Sequence, residues 1–395
     1  MSISNLKIPV LFIHHSGVFG GASRSLFEVL NVLSLNSIEP ILLTQKGTTS
    51  DVFVKANIKT FTVRGISQFD NTLNGYYRHF RWLILIREIF YLPYTYIGLK
   101  RIKKLNNTIK LIHINEITVL PAAIMAKYIF KLPIILHVRS FQRQPDGFRN
   151  KLIYKWINKN CSRVIAIDQT IKNSLPDYLT VNIIHNGLKF NPVDNITPRN
   201  SRTVFAMVSN LLDYKGVVDF VNAAVLAKVN NLDVTFRIIG ANFNKSTVQN
   251  ILKFFKLSHN VSKEIIEIIK KEELTNIEFK DFTMDISSIY ANIDVLCFPS
   301  HLNAAGRPIF EAAFFKKPCI IAIKNPQSDT VIDYETGICV PEKSPNEIFN
   351  AIKYFYDNPE ELLRMGTGAF ELANKNFNIE NNASKVFNIY LGILK

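Results

Sequence analysis

Four places in the chain set ligand-holding side chains beside glycine or at the end of an apolar run. The densest is Pro299 to Ala322, PSHLNAAGRPIFEAAFFKKPCIIA. Here Asn303, Ala304, Ala305, Gly306 and Arg307 lead into a helix-like stretch that carries Glu311. Glycine lets main-chain amides approach a ligand. A carboxylate accepts from two hydroxyls at once, as a ribose 2′,3′-diol offers them. Glu311 has Ile309, Phe310, Ala312, Ala313 and Phe314 around it. A buried carboxylate is costly unless satisfied, so a partner is expected. Taken alone, Glu311 also reads as part of a solvated helix face.

The other three places are weaker singly. In SNLLDYKG, Lys215 and Gly216 precede a helix, where a lysine reaches a diphosphate as a point charge. In HHSGVFGGAS, Gly17, Gly20 and Gly21 make a loop before a helix. A helix N-terminus offers oriented N–H groups to an anion. The spacing is not G-x-G-x-x-G, and an ordinary strand-to-helix turn explains it equally well. After PIIL come His137 and Arg139, an imidazole and a guanidinium suited to a hydroxyl and a phosphate. A lone histidine in such a place is more often structural.

These residues need parallel strands to position them, because ligands of open parallel sheets bind beyond the strands' carboxyl ends. PVLFIHH, EPILLTQ, LIHINE, PIILHVR, RVIAID and VNIIHN read as strands of a first half. VFAMVSN, TFRIIG, IEFKDF, DVLCFPS, PCIIAI and GICVPE read as strands of a second. Helical patterns lie between them, at 25–35, 119–130, 217–228, 308–316 and 345–356. Continuous apolar strands alternating with helices predict parallel sheets covered on both faces. The class is α/β, with two doubly wound Rossmann-like domains. We expect a first domain over 1–195, a second over 196–378, and a final helix over 379–395 that packs back on the first. The boundary is placed in FNPVDNITPRNS, Phe190 to Ser201, which lacks apolar periodicity.

Bulk numbers agree. The chain has 395 residues, too many for one ordinary core, with 47% hydrophobic and 20% charged residues. Residues 1–195 carry 25 Lys and Arg against 10 Asp and Glu, whereas the remainder carries 22 of each, so the entire net charge of +15 sits in the first half. Such asymmetry points to an anionic partner such as a membrane surface, or to a Lys-rich composition with ordinary solvated faces. Cys161, Cys297, Cys319 and Cys339 have no metal-binding spacing, and Cys297 and Cys319, inside apolar runs, read as buried thiols in a reducing compartment. The run Ile8 to Ile13 is too short for a signal-peptide core. Trp82 to Leu99 is interrupted by Arg87, Glu88 and Pro93, so no clean membrane span is expected.

Together, Pro299–Ala322, the GGAS loop, the His137 strand end, IAID, HNG and the Lys215–Gly216 pair resemble, in order and over nearly the whole chain, glycosyltransferase family 4. That family is retaining and has the GT-B fold, two Rossmann-like domains facing across a cleft. Its signature is a pair of glutamates separated by seven residues. The resemblance implies that Glu311 binds the nucleotide ribose, Lys215 the donor diphosphate, and His137 the transferred sugar. It implies donor contacts from Gly20, Gly21, Asn210, Asn303, Ala304, Ala305, Gly306 and Arg307. Ser23, Arg24, Asn115 and Arg139 are the acceptor or phosphate candidates. Two departures stand out. Asn303 replaces the first glutamate of the pair, and Asn210 replaces an arginine five residues before the lysine. Arg307, Arg139 or Arg24 would have to supply that charge, and Arg307 is expected to face the ligand.

The implied chemistry is sugar transfer from a nucleotide-sugar, UDP-linked or GDP-mannose, to a glycan or lipid-linked acceptor in polysaccharide or lipopolysaccharide assembly. No metal and no cofactor are expected, nor any nucleic-acid partner, since no recognition motif is present. Residues 76–104, YYRHFRWLILIREIFYLPYTYIGLKRIKK, interleave aromatic, apolar and basic side chains. They suit a cytoplasmic protein resting on the inner face of an anionic membrane, or simply helices packed on the sheet. The rival functions are a non-catalytic member acting as a binding partner and a nucleotide-sugar epimerase of the same fold.

Overall fold

The computed structural model describes residues 7–73, 75, 77, 79–143, 147–189, 202–240, 261–283 and 285–395. The expected boundary segment, 190–201, lies outside the described residues, as do 76 and 78 of the basic aromatic stretch. The chain divides into two compact units, Met1–Lys189 with Phe377–Lys395, and Phe190–Asn376.

In unit 1 the strands are β1 (Ile8–His14), β2 (Ile38–Gln45), β3 (Lys59–Val63), β4 (Leu111–Ile114), β5 (Ile134–Val138), β6 (Arg163–Ala166) and β7 (Val181–Ile183). They form one sheet in the order β3-β2-β1-β4-β5-β6-β7, and every pair is parallel. The central strands are buried along their length, as continuous apolar runs require. β3 has no counterpart in the strand pattern of the sequence. It is an edge strand, KTFTV, and its exposed and half-buried residues leave no apolar run to see. The helices are α1 (Gly21–Asn36), α2 (Thr48–Lys55), α3 (Trp82–Leu105), α4 (Leu120–Phe130), α5 (Phe148–Asn160) and α6 (Gln169–Asn173).

Pro93 does not stop α3, which runs 24 residues through it. Thr95, Gly98, Leu99 and Ile102 are buried on its inner face. That packing outweighs the hydrogen bond a proline forfeits.

Unit 2 holds β8 (Thr203–Val208), α7 (Val217–Val229), β9 (Val234–Ile239), α8 (Val261–Lys271), β10 (Ile277–Lys280), α9 (Ile286–Tyr290), β11 (Val295–Phe298), α10 (Arg307–Phe314), β12 (Cys319–Ile321), β13 (Gly337–Cys339), α11 (Pro345–Asp357) and α12 (Glu360–Asn376). Its sheet, also parallel throughout, has the order β10-β9-β8-β11-β12-β13. Both sheets reverse strand order beside their first strand, the switch point where open α/β sheets bind ligands.

The last helix, α13 (Ile379–Leu394), belongs to unit 1. Its Ile379, Ala383, Val386 and Tyr390 enter the same core as Leu26, Leu30 and Leu33 of α1 and Val10 and Phe12 of β1. Burying each such large side chain contributes ~1.5–3 kcal/mol.

Candidate functional site

In unit 1, polar groups gather at the carboxyl ends of β1, β4 and β5. His14 ends β1 and His137 lies near the end of β5, while Asn115 and Arg139 follow β4 and β5. His14, Asn115, His113 and His137 are all buried. Arg139 sets the direction of the network, because a guanidinium only donates. Its Nε donates to Asn115 Oδ1 at 2.8 Å. That fixes the amide, whose Nδ2 donates to His14 Nδ1 at 2.9 Å. His14 Nε2–H then donates to Ser23 Oγ at 2.8 Å, and Ser23 passes its proton to the Val18 carbonyl at 3.3 Å. Arg139 Nη1 reaches Asn186 Oδ1 at 2.5 Å, and Nη2 lies 3.4 Å from His137 Nδ1. His113 Nε2 is 3.3 Å from the same His137 nitrogen, and His113 Nδ1 is 2.7 Å from Tyr390 Oη.

Burial, with the Arg139 charge adding to it, holds His137 well below the usual histidine range and His113 at about 3. Burial also lowers His14, with His15 and Arg139 adding to it. These imidazoles are neutral at neutral pH, so each ring has one N–H and one lone pair. Glu116 is pushed up by burial, although Ser140 Oγ donates to it at 2.8 Å.

The sequence-derived candidates Ser23, Asn115, His137 and Arg139 therefore meet in one network. Arg139 commits three of its five N–H donors to Asn115, Asn186 and His137, so it orients neighbours as much as it offers charge. Arg24 pairs with Glu28 along α1 at 3.3 Å. Gly20 caps α1 at φ −127°, without a side-chain cap. A Cβ there would meet nothing within 4 Å, so the protein itself does not demand glycine at that point.

In unit 2 the loop after β11 is tied to the loop after β8. The amide of His301 donates to the Tyr214 carbonyl at 2.9 Å, and His301 Nε2 bonds Asp219 Oδ2 at 2.6 Å. Gly216 has φ +70°, and a Cβ there would lie 1.7 Å from the Pro299 carbonyl oxygen. Only glycine satisfies that turn and that approach together. Lys215 is consequently held beside the 299–306 loop. Its Nζ sits 5.5 Å from the Tyr214 ring and 5.8 Å from the Phe298 ring. Burial lowers its pKa, and it pairs with no carboxylate among the described residues.

The Phe298 ring also explains Gly306, where a Cβ would come within 2.7 Å of Phe298 Cζ. Gly306 caps α10 without a side-chain bond. Asn303, Ala304 and Ala305 are half-buried in the loop before it, and Asn210 is exposed at the end of β8. Glu311 is buried on α10. Its Oε1 accepts from Arg307 Nε at 3.1 Å and its Oε2 from Tyr290 Oη at 3.0 Å. Arg307 is not in bulk solvent; its side chain is 11% exposed and lies over the Phe310 ring at 5.2 Å. Its charge is offset by Glu311, so the pair brings little net positive charge to an anion.

Residues 193–372 match the family model of glycosyl transferases group 1. A crystal structure of Anabaena HepE with UDP superimposes at a TM-score of 0.74 and 18% identity, covering 98% of this chain and 100% of that one. The fold is GT-B. A glycosyltransferase from Rickettsia africae gives 0.75 at 19% identity over 99% of both chains. An uncharacterized glycosyltransferase of Methanocaldococcus jannaschii is 23% identical over 290 residues, 68% of this chain and 70% of its own. These likenesses support a GT-B glycosyltransferase.

Several GT-B site neighbours had no place in the sequence reading. His14 and His113 were visible as polar residues inside apolar strands. Asn186 lay in the HNG segment without a role of its own, and Tyr290 and Tyr390 carried no signal, because each is brought to its partner by packing alone. The His301–Asp219 bond joins residues 82 apart in sequence.

Proposed function

We propose that this chain is a retaining, metal-independent glycosyltransferase that uses a nucleotide-sugar, a UDP-sugar in the first instance and GDP-mannose as the alternative. One observation carries the reading. Lys215 is a partly desolvated cation without a carboxylate among the described residues, held by two rings next to a glycine-capped helix. A diphosphate is the ligand that such a group lacks. The HepE neighbour was crystallised with UDP and with UDP-glucose, which supports the same donor class.

In this reading Lys215 and the amides of 303–307 take the charge that develops on the leaving diphosphate. Glu311, oriented by Arg307 and Tyr290, is the group that meets the ribose diol. Asn303 meets the sugar hydroxyls without adding charge. Unit 1 presents the acceptor, whose hydroxyl attacks from the face that the diphosphate leaves, with the phosphate taking its proton. Gly20 and Gly21 give the donor room, and His137 donates to the transferred sugar. The test is a thermal-shift series with UDP, GDP, UDP-glucose and GDP-mannose in excess chelator. One nucleotide series should raise Tm in the parent and leave Lys215→Met unmoved. No shift with any of them, or a shift abolished by chelation, would sink the reading.

The acceptor is proposed to be lipid-linked, with the protein on an anionic membrane. Along the outer face of α3, Trp82, Leu83, Ile86, Ile89, Phe90 and Ile97 are each at least half exposed. Exposed Lys100, Arg101 and Lys104 continue that face. Apolar residues bordered by cations suit the headgroup boundary. Lys103 instead turns its Nζ to the Ile129 carbonyl. No helix among the described residues is long and apolar enough to cross a membrane. Changing Lys100, Arg101 and Lys104 to Glu should abolish sedimentation with phosphatidylglycerol vesicles; unchanged sedimentation removes this element.

A further inference from the structure

His137 has an unequal environment that one ring alone would not create. Its Nδ1 faces two groups, Arg139 Nη2 at 3.4 Å and His113 Nε2 at 3.3 Å. Its Nε2 is buried and has no hydrogen-bond partner among the described residues. The guanidinium can only donate, so His137 Nδ1 carries the lone pair and Nε2 the proton. His113 Nε2 must then donate as well, because the nitrogen it faces has no hydrogen. Both distances are long, as two donors sharing one lone pair require. With its proton on Nε2, His113 accepts at Nδ1, and the donor there is the Tyr390 hydroxyl at 2.7 Å. Each step follows from the previous one, and the order runs Tyr390 to His113 to His137.

We propose that Tyr390 and His113 are positioning residues that hold His137 as an Nε2–H donor toward the sugar at the carboxyl end of β5. This deepens the glycosyltransferase reading and rests on it for the identity of the ligand. The tautomer itself does not depend on that reading. The second nitrogen of a histidine is set by the bond that the first makes, which is why a remote hydroxyl matters here. Tyr390 is fully buried on α13, 277 residues from His113 in sequence. The final helix thus contributes to the site as well as to the core. With the hydroxyl present, the competing order, with both protons shifted by one nitrogen, would leave the Tyr390 proton without an acceptor among the described residues; without it, that order is opposed by Arg139 alone.

The experiment compares the full-length protein with Tyr390→Phe, which keeps the ring and removes the hydroxyl. Tyr154→Phe is the control. Tyr154 is likewise buried in unit 1, but its hydroxyl has no partner. Two-bond proton–nitrogen spectra of histidine-labelled protein read the tautomers directly. The parent and Tyr154→Phe should show His137 protonated at Nε2 only. Tyr390→Phe should show mixed tautomers at His113 and His137, with a melting curve that stays cooperative and is lowered only by the lost hydrogen bond. With the nucleotide-sugar found by thermal shift, kcat should fall about tenfold and KM stay within about twofold, the effect of misaligning one hydrogen bond formed in the transition state. A single Nε2–H tautomer in Tyr390→Phe overturns the proposal, as does an equal response in Tyr154→Phe. If the tautomers shift as expected but no nucleotide-sugar is turned over, the relay stands and the glycosyltransferase reading falls.

Discussion

The strand ends of the two units solve the same problem with different materials. In unit 1 the carboxyl ends of β1, β4 and β5 carry neutral imidazoles and amides, bonded in sequence from Arg139 to Ser23 on one side. In unit 2 the same part of the sheet carries charges, with Arg307 against Glu311, Asp219 bonded by His301, and Lys215 without a carboxylate among the described residues. Neutral imidazoles and amides cost little to bury where their lone pairs and protons are matched, and one guanidinium, Arg139, fixes their direction. Buried charges cost more, and Lys215 bears that cost with no carboxylate beside it among the described residues. Unit 1 is therefore built to orient, and unit 2 to neutralise.

The contrast breaks most readily at Glu311. Glu311→Ala leaves Arg307, 11% exposed, without its carboxylate. Unit 2 should lose about 3 kcal/mol, the usual cost of orphaning a buried charge. Urea unfolding should show Arg307→Met combined with Glu311→Gln recovering most of it. A double variant as unstable as the single one would mean that packing, not charge, is at stake.

Acid separates the units next. Burial holds His113 at about 3 and His15 at about 4, whereas an unfolded histidine titrates near 6.5. Between those values the unfolded chain binds protons that the native state refuses. Stability is therefore complete above about pH 6.5 and is lost as pH falls, by about 1.4 kcal/mol per pH unit for each such ring. Glu116, raised by burial, works in the opposite sense and offsets part of this. Urea midpoints from pH 7 to 4 should fall, and His113→Gln should reduce the slope by one ring's worth. A flat profile down to pH 5 would contradict the neutral network.

The smallest effect sharpens the comparison at two glycines. Gly20→Ala meets open space at an ordinary φ, so stability should change by less than about 1 kcal/mol while nucleotide binding weakens. Gly216→Ala meets the Pro299 carbonyl at a left-handed φ and should lower Tm clearly. Equal effects in melting experiments would remove the distinction between a glycine kept for a ligand and one kept for the fold.

Much of unit 2's candidate site could be read from the chain because it is local. Asn303 through Glu311 share one strand–loop–helix, and Lys215 stands in the corresponding loop between β8 and α7. Glu311's apolar neighbours already required a partner for its carboxylate, although Tyr290 and Arg307 were not identifiable as those partners. The apolar runs likewise announced twelve of the thirteen strands among the described residues, and the edge strand β3 escaped because its residues are exposed or only half-buried.

The amino-acid order alone settles where strands and helices form, because apolar periodicity acts over neighbouring residues. It settles that the positive charge is concentrated in the first half, and that a glycine-capped helix carries a carboxylate. It does not settle which hydrogen-bond partners a buried polar atom finds. Arg139, Asn115, His14 and Ser23 come from three strand ends and a helix, and Tyr390 from the last helix of all. Burial makes those partners obligatory, and only the packed tertiary structure decides which they are.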